Sequence, residues 1–356
     1  MATKSTTALE TPLREQLDRL AAIEPSERSI ISLYLDLRPN QNGQRTHVDT
    51  FLRTSFDEQT RSLPAEARAG FERTADRISQ YIADQTPKSA KALAIFASTT
   101  DDLFEAIPFD VPIERASVHV DAVPHLYPLA QVNDRYPRYA ALLMDTNSAD
   151  LYVFALGATQ RRETVQSEKT RRTSMGGWSQ ARYQRRAANF HKQHVKEVVD
   201  RLEKVTSEEH LNHIVIACDE VAKPFLMAQL PKHLTDKVID VVNVDVKSLP
   251  EHALLAETMA ALHQADAKTD AEHVERMLDA WHAGGLAVAG LEATMRALDM
   301  RQVEELLIAA RPDRVAGSVD ELVAKAQRNS ARIRFIEDDN LLADAGGVGA
   351  LLRFKI

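Results

Sequence analysis

Short apolar runs rich in β-branched and aromatic residues alternate with long helical stretches along this chain. SIISLYLDL at Ser29–Leu37, ALAIFA at Ala92–Ala97, Tyr139–Met144, Leu151–Leu156, His213–Cys218, Lys237–Val244, Glu304–Ala309 and Arg332–Ile336 are each too short for a buried helix. They read as strands, most of them buried. Helical patterning fills the intervals: Leu13–Ala22, Val48–Gln85 with an interruption near Pro64, Ala181–Val205, Ala267–Ala283, Gly290–Leu298 and Ser318–Arg328. Four prolines between Pro108 and Leu129 mark edge strands and connections. The fold class expected is α/β (α+β). At 356 residues the chain is too long for one ordinary core. We expect three small mixed α/β domains: an N-terminal one over 1–133, a middle one over 134–266, and a C-terminal one over 267–356.

Nothing in the chain approaches the roughly 18 to 20 uninterrupted apolar residues of a membrane span. The opening MATKSTTALETP lacks an apolar signal core, and Cys218, the single cysteine, suits a reducing compartment. These features point to the cytoplasm and away from a membrane. Net charge is −8, which argues against generic nucleic-acid binding. The average conceals a strong asymmetry, because Arg161–Lys196 holds ten Lys and Arg against only Glu163 and Glu168. An acidic body with one basic segment can hold a polyanion locally while its other surfaces repel it.

Within that segment Ser174–Arg186 reads SMGGWSQARYQRR. Gly176 and Gly177 are costly inside a helix, whereas the residues from Ala181 onward form helices well. The expected arrangement is a loop feeding a helix N-terminus. Tyr183, Ala187, Phe190, His194, Val198 and Leu202 recur at helical spacing and form its buried face. Arg182, Arg185, Arg186, Lys192 and Lys196 fall mainly on other faces, and Arg171 and Arg172 precede the loop. Such an array matches successive phosphates of a folded RNA, with Trp178 and Tyr183 available to stack on an unpaired base.

A Gly-Gly loop ending in Gln before a basic helix resembles the peptidyl-tRNA hydrolysis loop of archaeal and eukaryotic release factors. The spacing Gly176-Gly177-Trp178-Ser179-Gln180 is closer to a Gly-x-x-Gln variant than to contiguous Gly-Gly-Gln. DAGGVGALLRFKI at Asp344–Ile356, EELLIA at Glu304–Ala309 and IVIACDE at Ile214–Glu220 are similar to strands of the last two domains of release factors and Pelota. SLYLDL and HLYPL (His125–Leu129) resemble the bacterial branch of that superfamily. The resemblance implies an RNase H-like middle domain and a release-factor-like last domain. It implies a ribosome partner (rRNA, and tRNA in the P site), a first domain facing the decoding region, and a translational GTPase such as elongation factor Tu on the last domain. Gln180 would position a water for attack on the peptidyl-tRNA ester, and Gly176 and Gly177 would admit bare backbone to a crowded RNA cavity. No cofactor or metal is implied.

Two other functions stay open. A non-catalytic factor similar to Balon-like hibernation factors would occupy the A site of idle ribosomes. A Mg²⁺-dependent RNA nuclease would use Asp145, Asp219 and Asp245, which end strands and can converge at one sheet edge, although strand-terminal Asp is also ordinary turn chemistry. His191 and His194 lack the HExxH spacing of a zinc site, and Gly346–Gly349 lacks the sequence around a phosphate loop.

Overall fold

The computed structural model describes residues 13–24, 29–40, 43–100, 102–113, 115–166, 180–246, 248–315 and 319–355, with backbone alone at 166, 180–189 and 312. The first third begins with α1 (Leu13–Ala21) and β1 (Ile30–Asp36). Two helices follow, α2 (Thr46–Ser62) and α3 (Ala65–Asp84). Pro64 separates them, since proline cannot continue the hydrogen-bond ladder of the preceding helix but suits the start of the next. Then come β2 (Ala92–Ser98), β3 (Phe104–Phe109) and β4 (Ser117–Asp121), which complete an antiparallel sheet of order β3-β2-β1-β4. Ile31, Leu33 and Leu35 alternate along β1 and bury one sheet face under Leu52, Phe71 and Ile78 of the two helices.

A helix the sequence reading did not identify, α4 (Tyr127–Arg135), comes next. Its Pro128 lies in the first turn, where no intrahelical N–H is required, so the residue that suggested a connection in fact starts a helix.

The middle third holds a mixed five-stranded sheet of order β7-β6-β5-β8-β9. Its members are β5 (Tyr139–Met144), β6 (Ser148–Ala155), β7 (Ala158–Gln166), β8 (Ile214–Cys218) and β9 (Val238–Asn243). The hairpin expected from the sequence is present, with β7 added to it. Leu156 and Gly157 make the two-residue connection, both at positive φ (49° and 73°). ATQRRETVQ does not look like a strand because it is an edge strand bearing charge on both faces.

The long helix α5 (Gln180–Glu208) links β7 to β8, and the short helices α6 (Ala222–Met227) and α7 (Lys232–Thr235) link β8 to β9. Period-two alternation divides the sheet between two cores. Ala140, Leu142 and Met144 meet Val195, Val198 and Leu202 of α5, while Tyr139, Ala141 and Leu143 meet Leu254 and Leu262 of α8 (Glu251–His282). Helix α8 begins sixteen residues before the Ala267 start expected from the sequence, and no glycine or proline interrupts it.

The last third adds β10 (Ala287–Ala289), α9 (Leu291–Asp299), β11 (Val303–Ala309), α10 (Val319–Arg328), β12 (Arg332–Ile336) and β13 (Val348–Leu352). Its sheet order is β10-β13-β11-β12. Gly346 and Gly347 turn the chain into β13 at φ 64° and 82°. A Cβ on Gly347 would meet the Arg314 carbonyl at 2.2 Å, so that turn requires glycine sterically as well as conformationally.

The three mixed α/β sheets agree with the fold class read from the sequence. They group into two compact units: Pro137–Lys268 in one, and in the other the described residues from Leu13 to Tyr136 together with those from Thr269 onward. Helix α4 connects the two sheets of the second unit. The Tyr127 amide donates to Asp320 (3.0 Å), its hydroxyl donates to the Ala309 carbonyl (2.8 Å), and Gln131 donates to the Ala310 carbonyl (3.0 Å). Asp134 accepts from the Phe335 amide at 2.9 Å, and His125 pairs with Asp320. The HLYPL stretch is therefore the seam of this unit.

Candidate nucleic-acid interface

The basic segment leaves the middle sheet at the end of β7 and re-enters it along α5. Register fixes both points. Gln166 pairs with Ser148 across β6–β7, so β7 ends beside the β5–β6 turn. On the returning helix His191 shares a hydrogen bond with the Thr146 carbonyl (3.0 Å), and His194 is held by a backbone hydrogen bond at Ser148. Burial is the largest influence on His194 and lowers its pKa, so the ring is neutral near neutral pH. It is a packed core histidine on the apolar face, as its spacing implied. From Phe190 the helical backbone continues toward its N-terminus for a further ten residues, about 15 Å.

Farther along, α5 runs back against β7 and is tied to it by charge. Glu163 lies between two guanidinium groups: its Oε1 accepts from Arg161 Nε at 2.9 Å, and its Oε2 pairs with Arg201 of α5. Arg161 also reaches Glu208 (3.0 Å) and Glu209 (2.8 Å), and Arg138 binds Glu209 from the start of the middle unit. Burial alone would raise the Glu163 carboxyl, but hydrogen bonds from Arg201 and Arg161 outweigh it and hold the group below the ordinary glutamate range. Glu209 behaves alike: burial opposes, and Arg161 with Arg138 prevails. The Arg161 guanidinium is correspondingly pushed up, chiefly by Glu209. On the opposite strand face Arg162 contacts Asp150 at 3.3 Å and lies over the Tyr152 ring.

Two of the ten cations counted in the sequence are thus matched by the protein's own carboxylates and hold the stem of the segment together. The signal for this was present in the sequence. Arg161 and Glu163 are two residues apart on a strand and so share a face. Their partners on and just after α5, Arg201, Glu208 and Glu209, lie 38 to 48 positions away, too far for local patterning to reveal.

Lys192 and Lys196 are exposed on α5, opposite the buried His194, Val195, Val198 and Val199. Gln180, Arg182, Tyr183, Arg185 and Arg186 fall in the first turns of α5, where backbone alone is described. Arg171, Arg172, Gly176, Gly177 and Trp178 lie outside the described residues.

Asp145 and Asp219 end adjacent parallel strands. Asp145 accepts from the Asn147 and Ser148 amides at 2.7 Å, and Asp219 from the Ala222 amide at 2.7 Å. Both carboxylates are occupied by turn hydrogen bonds. Asp245 accepts from the Ser248 hydroxyl at 2.9 Å. Among the described residues no group of His, Cys, Asp and Glu is placed to hold a metal ion. Among them, too, no helix is long and apolar enough to cross a membrane.

Residues 124–263 match the model of the bacterial archaeo-eukaryotic release factor family 10. No curated protein matches the chain. Among solved structures it is similar to an archaeal translation termination factor, aRF1, at 18% identity over 96% of this chain and 98% of that one, with TM-score 0.26. Pelota from Archaeoglobus fulgidus is 15% identical over 74% of this chain and 80% of its own, with TM-score 0.36. An archaeal Pelota from a ribosome-bound model with ABCE1 is 13% identical over 96% and 94%, with TM-score 0.43.

Proposed function

We propose that this chain, whose residues 124–263 match the model of the bacterial archaeo-eukaryotic release factor family 10, is a ribosome-binding translation factor. It enters the A site of stalled ribosomes and carries its 176–180 loop toward the P-site tRNA. One observation supports the reading above the others. The matched segment contains β5–β7 and α5, and these elements bring both ends of the basic segment to one end of a sheet.

In this reading Gln180 positions a water against the peptidyl-tRNA ester, and Gly176 and Gly177 keep the tip free of Cβ atoms. Arg171, Arg172, Arg182, Arg185, Arg186, Lys192 and Lys196 meet rRNA phosphates. Trp178 and Tyr183 stack on bases. The last third of the chain would receive a translational GTPase such as elongation factor Tu, to be checked by capture of that GTPase in its GTP form.

The test pairs ribosome pelleting with release of model peptidyl-tRNA from stalled ribosomes. Gln180→Ala should pellet like the parent protein and release about 10²-fold more slowly, the usual cost of misplacing a reacting group. Equal release rates would refute the hydrolytic role. Trp178 and Ser179 set Gln180 two residues beyond the contiguous spacing, and this favours a second reading, a hibernation factor that occupies idle ribosomes without chemistry. Under that reading the protein pellets with ribosomes from starved cells and shows no release at all.

A further inference from the structure

The second unit contains a cleft of about 1040 Å³ that the translation-factor reading does not use. Its walls are the strand β4, the helices α2 and α4, and the chain just after β11. Four arginines from four separate segments line it: Arg38, Arg115, Arg135 and Arg311. Among the described residues two acids, Glu58 and Asp313, share the lining, although acids outnumber bases over the whole chain.

Arg38, Arg135 and Arg311 are oriented by Asp36, Glu337 and Asp339, none of which lines the cleft. A guanidinium carries five donors, so one held by a carboxylate on one edge retains N–H groups for a second anion on another. Arg115 is exposed and forms no ion pair with another described residue. The rest of the wall is different in character. Phe51, Ile113, Val118, Val132 and the Tyr127 ring supply an apolar and aromatic surface. His119 stacks on His125 with ring centroids 3.7 Å apart and presents a flat edge to the same space.

Four arginines and an apolar, partly planar wall in one cleft suit a ligand that carries both phosphate and a flat ring. The volume is at the upper end of the roughly 300–1,000 Å³ range of small-molecule sites. We propose that this cleft binds a nucleoside diphosphate, its phosphates held by Arg115, Arg135, Arg38 and Arg311 and its base laid against the Phe51–Val118–Tyr127 wall.

The experiment is isothermal titration of the full chain with ADP and with GDP, against pyrophosphate, adenosine and a short single-stranded RNA. At least one nucleotide should bind, with pyrophosphate and adenosine each weaker by roughly ten-fold or more, because each occupies half of the site. Arg115→Gln should weaken the nucleotide by roughly ten-fold or more and leave the melting curve unchanged, since Arg115 is exposed and pairs with no acid among the described residues. Arg135→Gln provides a second reading of the same effect. The proposal is overturned by the absence of heat from both nucleotides up to about 1 mM, or by undiminished binding in both variants. It is equally overturned if pyrophosphate matches the nucleotide, or if the RNA displaces it mole for mole. Ribosome pelleting of Arg115→Gln should equal that of the parent, which separates this site from the basic segment.

Discussion

Glu163→Gln tests whether charge holds the stem of the basic segment. The substitution keeps the shape of the side chain and removes the anion between Arg161 and Arg201. The Glu163 side chain is 14% exposed, while Arg161 and Arg201 are 29% and 39% exposed. A fully buried pair broken on one side costs about 3–5 kcal/mol, and an exposed pair about 0–1 kcal/mol. This site lies between those limits. Arg161 keeps Glu208 and Glu209, whereas among the described residues Arg201 pairs with Glu163 alone, and its solvent exposure screens the loss. We expect about 1–2 kcal/mol, which is a roughly 5–30-fold rise in local opening.

Amide hydrogen exchange in β7 and the second half of α5 is the direct readout, with β11 and β13 as unaffected references. A double-mutant cycle with Arg201→Met should return a coupling of about 1 kcal/mol. The pH dependence gives an independent check. The folded Glu163 pKa is lowered relative to the ordinary 4.5. The stabilisation is therefore complete above that value and declines as pH falls through the lower folded pKa. The gap between parent and variant should close in acid. Protection changed by less than about two-fold at pH 7, or a gap that persists in acid, would show that packing and not charge fixes the stem.

Other expectations concern separate parts of the molecule. Gly347→Ala should lower the melting temperature markedly more than Gly346→Ala, because both have positive φ, costing about 1–2 kcal/mol each, but only the former meets a backbone carbonyl at 2.2 Å. Tyr127→Phe removes a buried donor to the Ala309 carbonyl and should destabilise the second unit by about 1 kcal/mol in denaturant titration. Lys192→Gln with Lys196→Gln should leave the melting curve in place. It should flatten the salt dependence of ribosome binding by up to about one unit of slope per lost phosphate contact, and an unchanged slope would remove this helix face from the interface.

Local pattern carried most of the fold. Strands β1, β2, β5, β8 and β11 were legible because each is a short, mostly buried run, and Pro64 marked the break between α2 and α3. The buried face of α5 was legible through His194, Val198 and Leu202, because a 3.6-residue period survives whatever the helix packs against. Where local signals conflicted with the three-dimensional role, the sequence was misread. Strand β7 has too many charges to resemble a core strand, yet an edge position needs them. Helix α4 carries a proline in its first turn, and α8 was read as starting at Ala267, sixteen residues after it begins.

What the sequence determined by itself is most of the secondary-structure elements, the concentration of cations around Gly176–Gly177, and the release-factor resemblance, because periodicity, turn chemistry and motif are properties of neighbouring residues. The tertiary structure alone decided which residues meet across long separations. It set Arg161 and Glu163 against Arg201, Glu208 and Glu209, made a seam of His125, Tyr127 and Asp320, and brought four arginines from distant segments around one cleft. A side chain's pattern along the chain states which face it occupies. Its partner depends on how sheets and helices distant in sequence pack, and that is settled only when the whole chain minimises exposed apolar surface and unpaired charge together.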